Sequence, residues 1–521
     1  MVRAKRIWLL INQFPSYVIG LSGLLAGLVF SAGLPGWLLP VLLIPWFYYA
    51  SQDHSWRDHI WFAAWFFLPF HAIVLSWFYD TNINGLIGAS HKMALVAQLV
   101  CWLIMVTVMT LCMLPLGIVI GRLRPLAQRF AWQGWLILPA AWVGCEWLRS
   151  IGFSIIGYGR GATLGDYWNF GSLGLGIMQT PLAYLSRWIG LYGLTFLVVV
   201  LALALGRVLV WKTFRPLSLL ALCLLLLIQS ATILTNHQNR SAATQSASVL
   251  QRSLDSSDYR GAMPIQNASS TKKQLIVLPE YSELYDEGAG QIANAFVNQR
   301  LATEGISVDV DRGNRPQWYG TLEFRDAHGT VLHSDTKQLL IPSGEYLPSI
   351  ISTFYQVTGQ HQIINRFEKY RRVYKGNPPV LYHTPTLTIG PVACSGILGR
   401  PIYQKLARDG ATVLTNSASL VDFNGSKSYF RQSILMARFH AIANNRVFIQ
   451  SSRGAPAFVL DNNGHYIVAP GSIGTRFIDF SFHPLSAKTV YSDLGEWVLV
   501  ASFTILVLTG LGRQRNARRL K

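Results

Sequence analysis

Apolar residues in this chain gather in long blocks instead of alternating with polar ones. Residues 17–50, 60–79, 93–121, 130–145, 189–206, 216–235 and 497–512 contain no Asp, Glu, Lys or Arg. A helix needs about 20 mostly apolar residues to cross a bilayer, so each block predicts a membrane span. The first block predicts two short spans, because Gly33-Leu34-Pro35-Gly36 interrupts it. Eight spans in all are expected.

Between the seventh and eighth spans the pattern changes. Residues 236–258 are rich in Ser, Gln, Asn and Thr and read as a linker into a new domain. Residues 274–278 form a short apolar run followed by Pro279, which predicts a buried strand ending at Glu280. Residues 386–393, ending at Cys394, read the same way, as do 411–415 and 446–451. Residues 319–332 and 457–468 predict hairpins, the second turning at Asn462-Asn463-Gly464. Residues 428–444 place Phe430, Ile434, Leu435, Ala437 and Phe439 at helical spacing. Strands ending in polar residues among helices and hairpins imply a layered α/β domain with its site at the strand ends. The expected division is a membrane domain at 1–236, an extracytoplasmic α/β domain at 237–492, and a final span with a basic tail at 493–521.

Charge changes the picture by giving a direction. The chain has 521 residues, 51% of them hydrophobic and only 13% charged, against about 25% charged in a soluble domain. Its net charge of +19 suggests a nucleic-acid partner only until the spans are numbered. Arg3, Lys5, Arg6, Arg57, Arg122, Arg124, Arg129, Arg207, Lys212, Arg215 and the Arg513–Lys521 cluster then fall on one side, while the opposite loops are nearly free of Lys and Arg. This positive-inside asymmetry puts the α/β domain outside the cytoplasm. No A-x-A-like site follows the first apolar run, so the N-terminus is expected to stay as membrane and not to be cleaved as a signal peptide.

Of five cysteines, Cys101, Cys112, Cys145 and Cys223 fall in or beside expected spans and only Cys394 lies in the outer domain. Outside the cytoplasm a lone cysteine is either a buried passenger or a thiol kept free for its reactivity. A nucleophilic thiol needs a base, and its tetrahedral adduct needs a cation or N–H donors. Glu280, Lys337 and Cys394 supply those three chemistries, although three residues scattered along a chain say little by themselves.

Their neighbourhoods resemble a family. Leu278-Pro279-Glu280, Lys337-Gln-Leu-Leu-Ile-Pro-Ser-Gly-Glu345-Tyr-Leu-Pro348 and Pro391-Val-Ala-Cys394 resemble the three catalytic segments of bacterial apolipoprotein N-acyltransferases. Glu146-Trp-Leu-Arg149, Gly157-Tyr158, Gly190-Leu-Tyr-Gly-Leu-Thr-Phe196 and Thr489-Val-Tyr-Ser-Asp-Leu-Gly-Glu-Trp497 resemble other segments of that family, in the same order. The resemblance implies a nitrilase-like αββα sandwich on the periplasmic side of the inner membrane and a two-step acyl transfer. A phospholipid would donate the acyl chain and the α-amino group of a diacylglyceryl-cysteine lipoprotein would accept it. It also implies roles: Cys394 the nucleophile, Glu280 the general base, Lys337 the oxyanion stabiliser, Glu345 a support for Lys337 and the leaving amine, and the Ser395 N–H a second oxyanion donor.

The chain also departs from the family. Tyrosine and glutamate usually follow the cysteine, where Ser395 and Gly396 stand here, and Asn416-Ser-Ala-Ser-Leu-Val-Asp-Phe-Asn-Gly425 lacks the family's tryptophan. An amidase-like enzyme with another acceptor, or an inactive paralogue that binds lipoproteins, would share the rest. Glu146 is explained equally by a function inside the membrane or by pairing with Arg149 three residues on. His71, His333 and His440 have no metal-ligand spacing, and neither a phosphate-binding glycine loop nor a nucleic-acid motif is present. No metal, cofactor or nucleic-acid partner is expected, and the protein is expected to be a monomer in contact with membrane lipid.

Overall fold

The computed structural model describes residues 14–50, 52, 54–81, 91–128, 132–209, 243–253, 274–280, 301–310, 316–325, 330–370 and 372–519. The expected span at 216–235 lies outside them.

The N-terminal part is helical: α1 (Pro15–Ser31), α2 (Leu38–Ala50), α3 (Trp56–Val74), α4 (His91–Met113), α5 (Pro115–Gln128), α6 (Trp132–Ile156) and α7 (Ser186–Leu209). The glycine-proline interruption separates α1 from α2 as expected. A Ser55–Asp58 capping box starts α3, Asp58 N donating to Ser55 Oγ and Ser55 N to Asp58 Oδ2. Among the described residues three stretches are long and apolar enough to cross a membrane, Trp56–Asp80, Leu95–Arg122 and Pro181–Val208, and three apolar helices are shorter, Pro15–Ser31, Leu38–Tyr49 and Trp497–Gly510. Three long apolar stretches among the described residues do not confirm the expected count of eight spans, two of which were expected to be short.

The block expected to span at 130–145 is the first part of α6, which continues through Glu146 and Arg149 to Ile156. A charge does not end a helix if partners meet it. Glu146 accepts from Ser172 Oγ (2.7 Å), Thr195 Oγ1 (2.9 Å) and Leu173 N (3.0 Å). Arg149 Nη1 lies 3.3 Å from both His71 Nε2 and the Gly171 carbonyl. Glu146 therefore ties α6 to α7 and to the turn at 172–174.

The second part is built on a sheet of strands β1 (Gln245–Arg252), β2 (Leu275–Glu280), β3 (Leu301–Val310), β4 (Pro316–Arg325), β5 (Val331–Thr336), β6 (Tyr382–His383), β7 (Thr388–Ala393), β8 (Val413–Ser419), β9 (Val447–Arg453), β10 (Phe458–Leu460), β11 (Tyr466–Val468) and β12 (Arg476–Phe482). Their order is β5-β4-β3-β2-β1-β9-β8-β7-β6, with β10 and β11 beside β9 and β12 beside β1. Strands β3, β2, β1, β9, β8 and β7 run parallel. Both expected hairpins form, β4 with β5 and β10 with β11.

Helices α8 (Ser349–Val357), α9 (His361–Tyr370), α10 (Arg400–Asp409) and α11 (Lys427–Asn444) are interleaved, and α12 (Val490–Leu494) leads into α13 (Trp497–Arg519). Neighbouring residues on one strand feed opposite faces of the sheet. Val413, Val447 and Ile449 join one core, while Leu414 and Phe448 join another that runs on into the N-terminal helices.

The segment read as a linker contains a central strand. β1 pairs with β2, β12 and β9. Its serines and glutamines disguised it, yet Gln251 is satisfied inside: its Nε2 donates to the Ser472 (2.7 Å) and Gly474 (2.9 Å) carbonyls and its Oε1 accepts from Ala457 N (3.0 Å), while Ala247, Val249 and Leu250 are fully buried.

Candidate active site

Three parallel strands end at one place. Glu280 is the last residue of β2, Ser419 the last of β8, and Cys394 follows β7 directly. Their uncharged sequences are those of strands covered on both faces, and the first functional groups appear where each strand leaves the sheet. The Ser419 peptide joins the other two: its N–H donates to Glu280 Oε2 (3.1 Å), and its carbonyl accepts from Cys394 Sγ (3.7 Å). Cys394 has φ of 37°, a left-handed conformation that costs a non-glycine residue energy and persists only where its surroundings impose it. Asn416 Nδ2 helps impose it by donating to the Cys394 carbonyl (3.2 Å) and to Gln450 Oε1 (3.0 Å).

Lys337 follows β5, with its N–H on the Gly320 carbonyl (2.7 Å). Its ammonium bridges two carboxylates, Glu280 Oε1 at 3.0 Å and Glu345 Oε1 at 2.8 Å, with all three side chains at most 10% exposed. Glu345 is held by the tight turn at 341–346, where its other oxygen accepts from Ile341 N (2.7 Å). Burial, opposed by Lys337 and reinforced by the charge of Glu280, holds the Glu345 carboxyl above the usual carboxylate range. The turn is fastened to the N-terminal part: Tyr346 Oη donates to the Gly157 carbonyl (2.7 Å), and Gly159 bridges to Pro348.

This site therefore brings together Glu280, Lys337, Glu345 and Cys394, and it rests on the turn after α6 that carries the Gly157-Tyr158 motif. Residues 22–204 match the family described as apolipoprotein N-acyltransferase N-terminal domain. The family resemblance read from the sequence is shown over this stretch. It takes in Glu146-Trp-Leu-Arg149, Gly157-Tyr158 and Gly190–Phe196, and stops before Glu280, Lys337 and Cys394.

No curated protein matches the chain. Solved structures similar to it include a variant of the amidase from Nesterenkonia sp. AN1 with acetamide added covalently at its active-site cysteine (15% identity, 47% of this chain and 92% of that chain, TM-score 0.33). Others are Nit3 of Saccharomyces cerevisiae, a nitrilase superfamily member (16%, 47% and 93%, 0.34), and a carbon-nitrogen hydrolase from Helicobacter pylori G27 (17%, 52% and 95%, 0.34).

The departures from the acyltransferase pattern have local causes. A Cβ at Gly396 would lie 2.1 Å from Val392 Cγ1, so any larger residue here requires the Val392 side chain to move. Ser395 is buried and its hydroxyl donates to the Leu339 carbonyl, tying the cysteine turn to the Lys337 segment.

Sequence reasoning missed Ser419 and Asn416 as groups that arrange Cys394, although Asn416 opens a stretch compared with the family. It also missed His440, whose Nε2 lies 2.7 Å from the Ile397 carbonyl. Burial pushes His440 down to about 3, so a neutral imidazole donates this bond at ordinary pH.

Proposed function

We propose that the chain is an apolipoprotein N-acyltransferase of a bacterial inner membrane, with a nitrilase-like αββα domain on the periplasmic side. The observation that carries this reading is the buried cluster in which Lys337 sits between Glu280 and Glu345 while Glu280 and Cys394 share the Ser419 peptide. An amine-accepting thioester chemistry needs this set and no metal ligand.

In the first step Glu280 takes the proton of the Cys394 thiol, and the sulfur attacks an ester carbonyl of a phospholipid. A C–S bond forms, the C–O bond breaks, and the lysophospholipid leaves with the proton from Glu280. Lys337 Nζ faces the negative oxygen of the tetrahedral adduct, and the Ser395 N–H, at the start of a 3-10 turn where no carbonyl of the turn can accept it, adds a second donor. In the second step the α-amino group of a diacylglyceryl-cysteine attacks the thioester. A C–N bond forms, the C–S bond breaks, the amine's proton passes through Glu280, and the thiol is restored. Glu345 keeps Lys337 in place and faces the amine. Apolar helices beside the site suit substrates that never leave the lipid phase.

The full chain, supplied with phospholipid and a synthetic diacylated lipopeptide, is expected to yield the triacylated peptide, and a reporter fused near Ser248 is expected to report the periplasmic side. Hydrolysis of simple amides with no transfer to the lipopeptide, or a cytoplasmic signal from the fusion, would overturn the reading.

A further inference from the structure

Two motifs shared with the family, Gly190–Phe196 and Thr489–Trp497, are far from Cys394 in sequence and take no part in the chemistry above. The fold brings them to one point behind the nucleophile. Cys394–Leu398 form a 3-10 turn, and Arg400, only 4% exposed, opens α10 immediately after it.

The Arg400 guanidinium meets two carboxylates from the N- and C-terminal helical parts. Nη2 contacts Asp166 Oδ2 at 2.6 Å, and Nη1 contacts Glu496 Oε1. Its charge also lies 4.9 Å from the centroid of the Tyr192 ring. Glu496 in turn accepts from the Leu191 and Tyr192 N–H groups, both at 3.1 Å. These donors are exposed because α7 is broken at Gly190 (φ 65°), where a Cβ would come within 2.5 Å of Glu496 Oε2. Gly190 is thus the residue that lets Glu496 approach, and Glu496 is the residue that receives Arg400. The turn itself is buried, with Ile397 and Leu398 in the core that runs on into the N-terminal helices, and Arg400, just after it, adds a polar attachment to Asp166 and Glu496.

We propose that Arg400 is a positioning residue: clamped by Glu496 and Asp166, it fixes the Cys394 turn to the membrane domain and holds the thiol in register with Glu280. The inference rests on the reading of Cys394 as the nucleophile. A planar guanidinium serves two carboxylates at once, which a compact ammonium does less well, and ångström-scale misplacement of a reacting group costs about a hundred-fold in rate.

The test uses the full chain in detergent with Arg400→Met, Arg400→Lys and Glu496→Gln. Three quantities are measured: the melting temperature, the pH profile of Cys394 alkylation by iodoacetamide, and kcat and KM for thioester loading from vesicles of phosphatidylethanolamine and phosphatidylglycerol. Folded Arg400→Met is expected to load about ten- to a hundred-fold more slowly in kcat with KM unchanged, and its alkylation midpoint is expected to move to higher pH as the thiol is displaced from the cluster that holds the Lys337 ammonium. Arg400→Lys is expected to recover part of both.

A folded Arg400→Met that alkylates and loads like wild type overturns the proposal. If that variant does not fold, wild-type alkylation profiles in both Arg400→Lys and Glu496→Gln overturn it. Alkylation needs no lipid, so a wild-type protein that alkylates but never loads defeats the acyltransferase reading while the clamp is still judged by its pH profile.

Discussion

Intact-mass measurement on protein purified from its own membrane is expected to show a fatty-acyl increment on a fraction of molecules, and Cys394→Ala is expected to lack it. The reason lies in the order of a two-step transfer. On the proposed mechanism the donor phospholipid would surround the protein whereas the amine acceptor would arrive separately, so the acyl-enzyme would accumulate between steps. Neutral hydroxylamine should remove the increment, as should a diacylated acceptor peptide. Cys394→Ser is expected to transfer very little, because its hydroxyl ionises far less readily than a thiol and Glu280 is then too weak a base for it. An adduct of equal size in Cys394→Ala would place the acyl group elsewhere. A wild-type protein that stays unloaded with every phospholipid, while Cys394→Ala still restores growth to a strain depleted of this activity, would remove the mechanism.

The second large effect is expected at Lys337. Loss of one oxyanion donor costs about 10²- to 10³-fold in turnover, and Lys337→Met removes the ammonium that lies 3.0 Å from Glu280 and 2.8 Å from Glu345. It also leaves two buried carboxylates facing each other. Removing one partner of a buried pair costs about 3–5 kcal/mol when the remaining charge cannot escape. Here Glu345, already held above the usual carboxylate range by its burial, takes up a proton and limits that loss. The variant is therefore expected to remain folded and membrane-inserted, with a lowered melting temperature and loading reduced at least to the level of lost oxyanion support. Lys337→Arg is expected to be poor too, since a forked guanidinium does not fit a space shaped for one ammonium between two carboxylates. Normal loading by Lys337→Met would assign the positive charge to another group.

Much of the chemistry is legible in the sequence. Charge-free blocks of spanning length marked the helical part, and the break at residues 33–36 fell where α1 and α2 separate. Strands β2, β7, β8 and β9 are visible as runs with little charge because strands covered on both faces admit few charges, and the ends of β2 and β7 point to Glu280 and Cys394. The grouping of Glu280, Lys337, Glu345 and Cys394 was read from motifs, and the fold places Lys337 in contact with both glutamates.

Other features depend on partners distant in sequence. β1 read as a linker because its Gln and Ser side chains look solvated until Ser472, Gly474 and Ile478 supply their hydrogen bonds. The partners of Glu146 and Arg149 in α6 are likewise distant, since Ser172, Thr195, His71 and Gly171 meet them only in the fold. The Ser419 peptide that joins Glu280 to Cys394 has no side-chain signature at all. By itself, then, the sequence determined which stretches are apolar, which strands are buried and which reactive groups the chain owns, since these follow from local composition and period. Only the tertiary structure decided how polar groups inside are satisfied and that Arg400 meets Asp166 and Glu496, because a buried charge or hydrogen bond is defined by a partner that can lie hundreds of residues away.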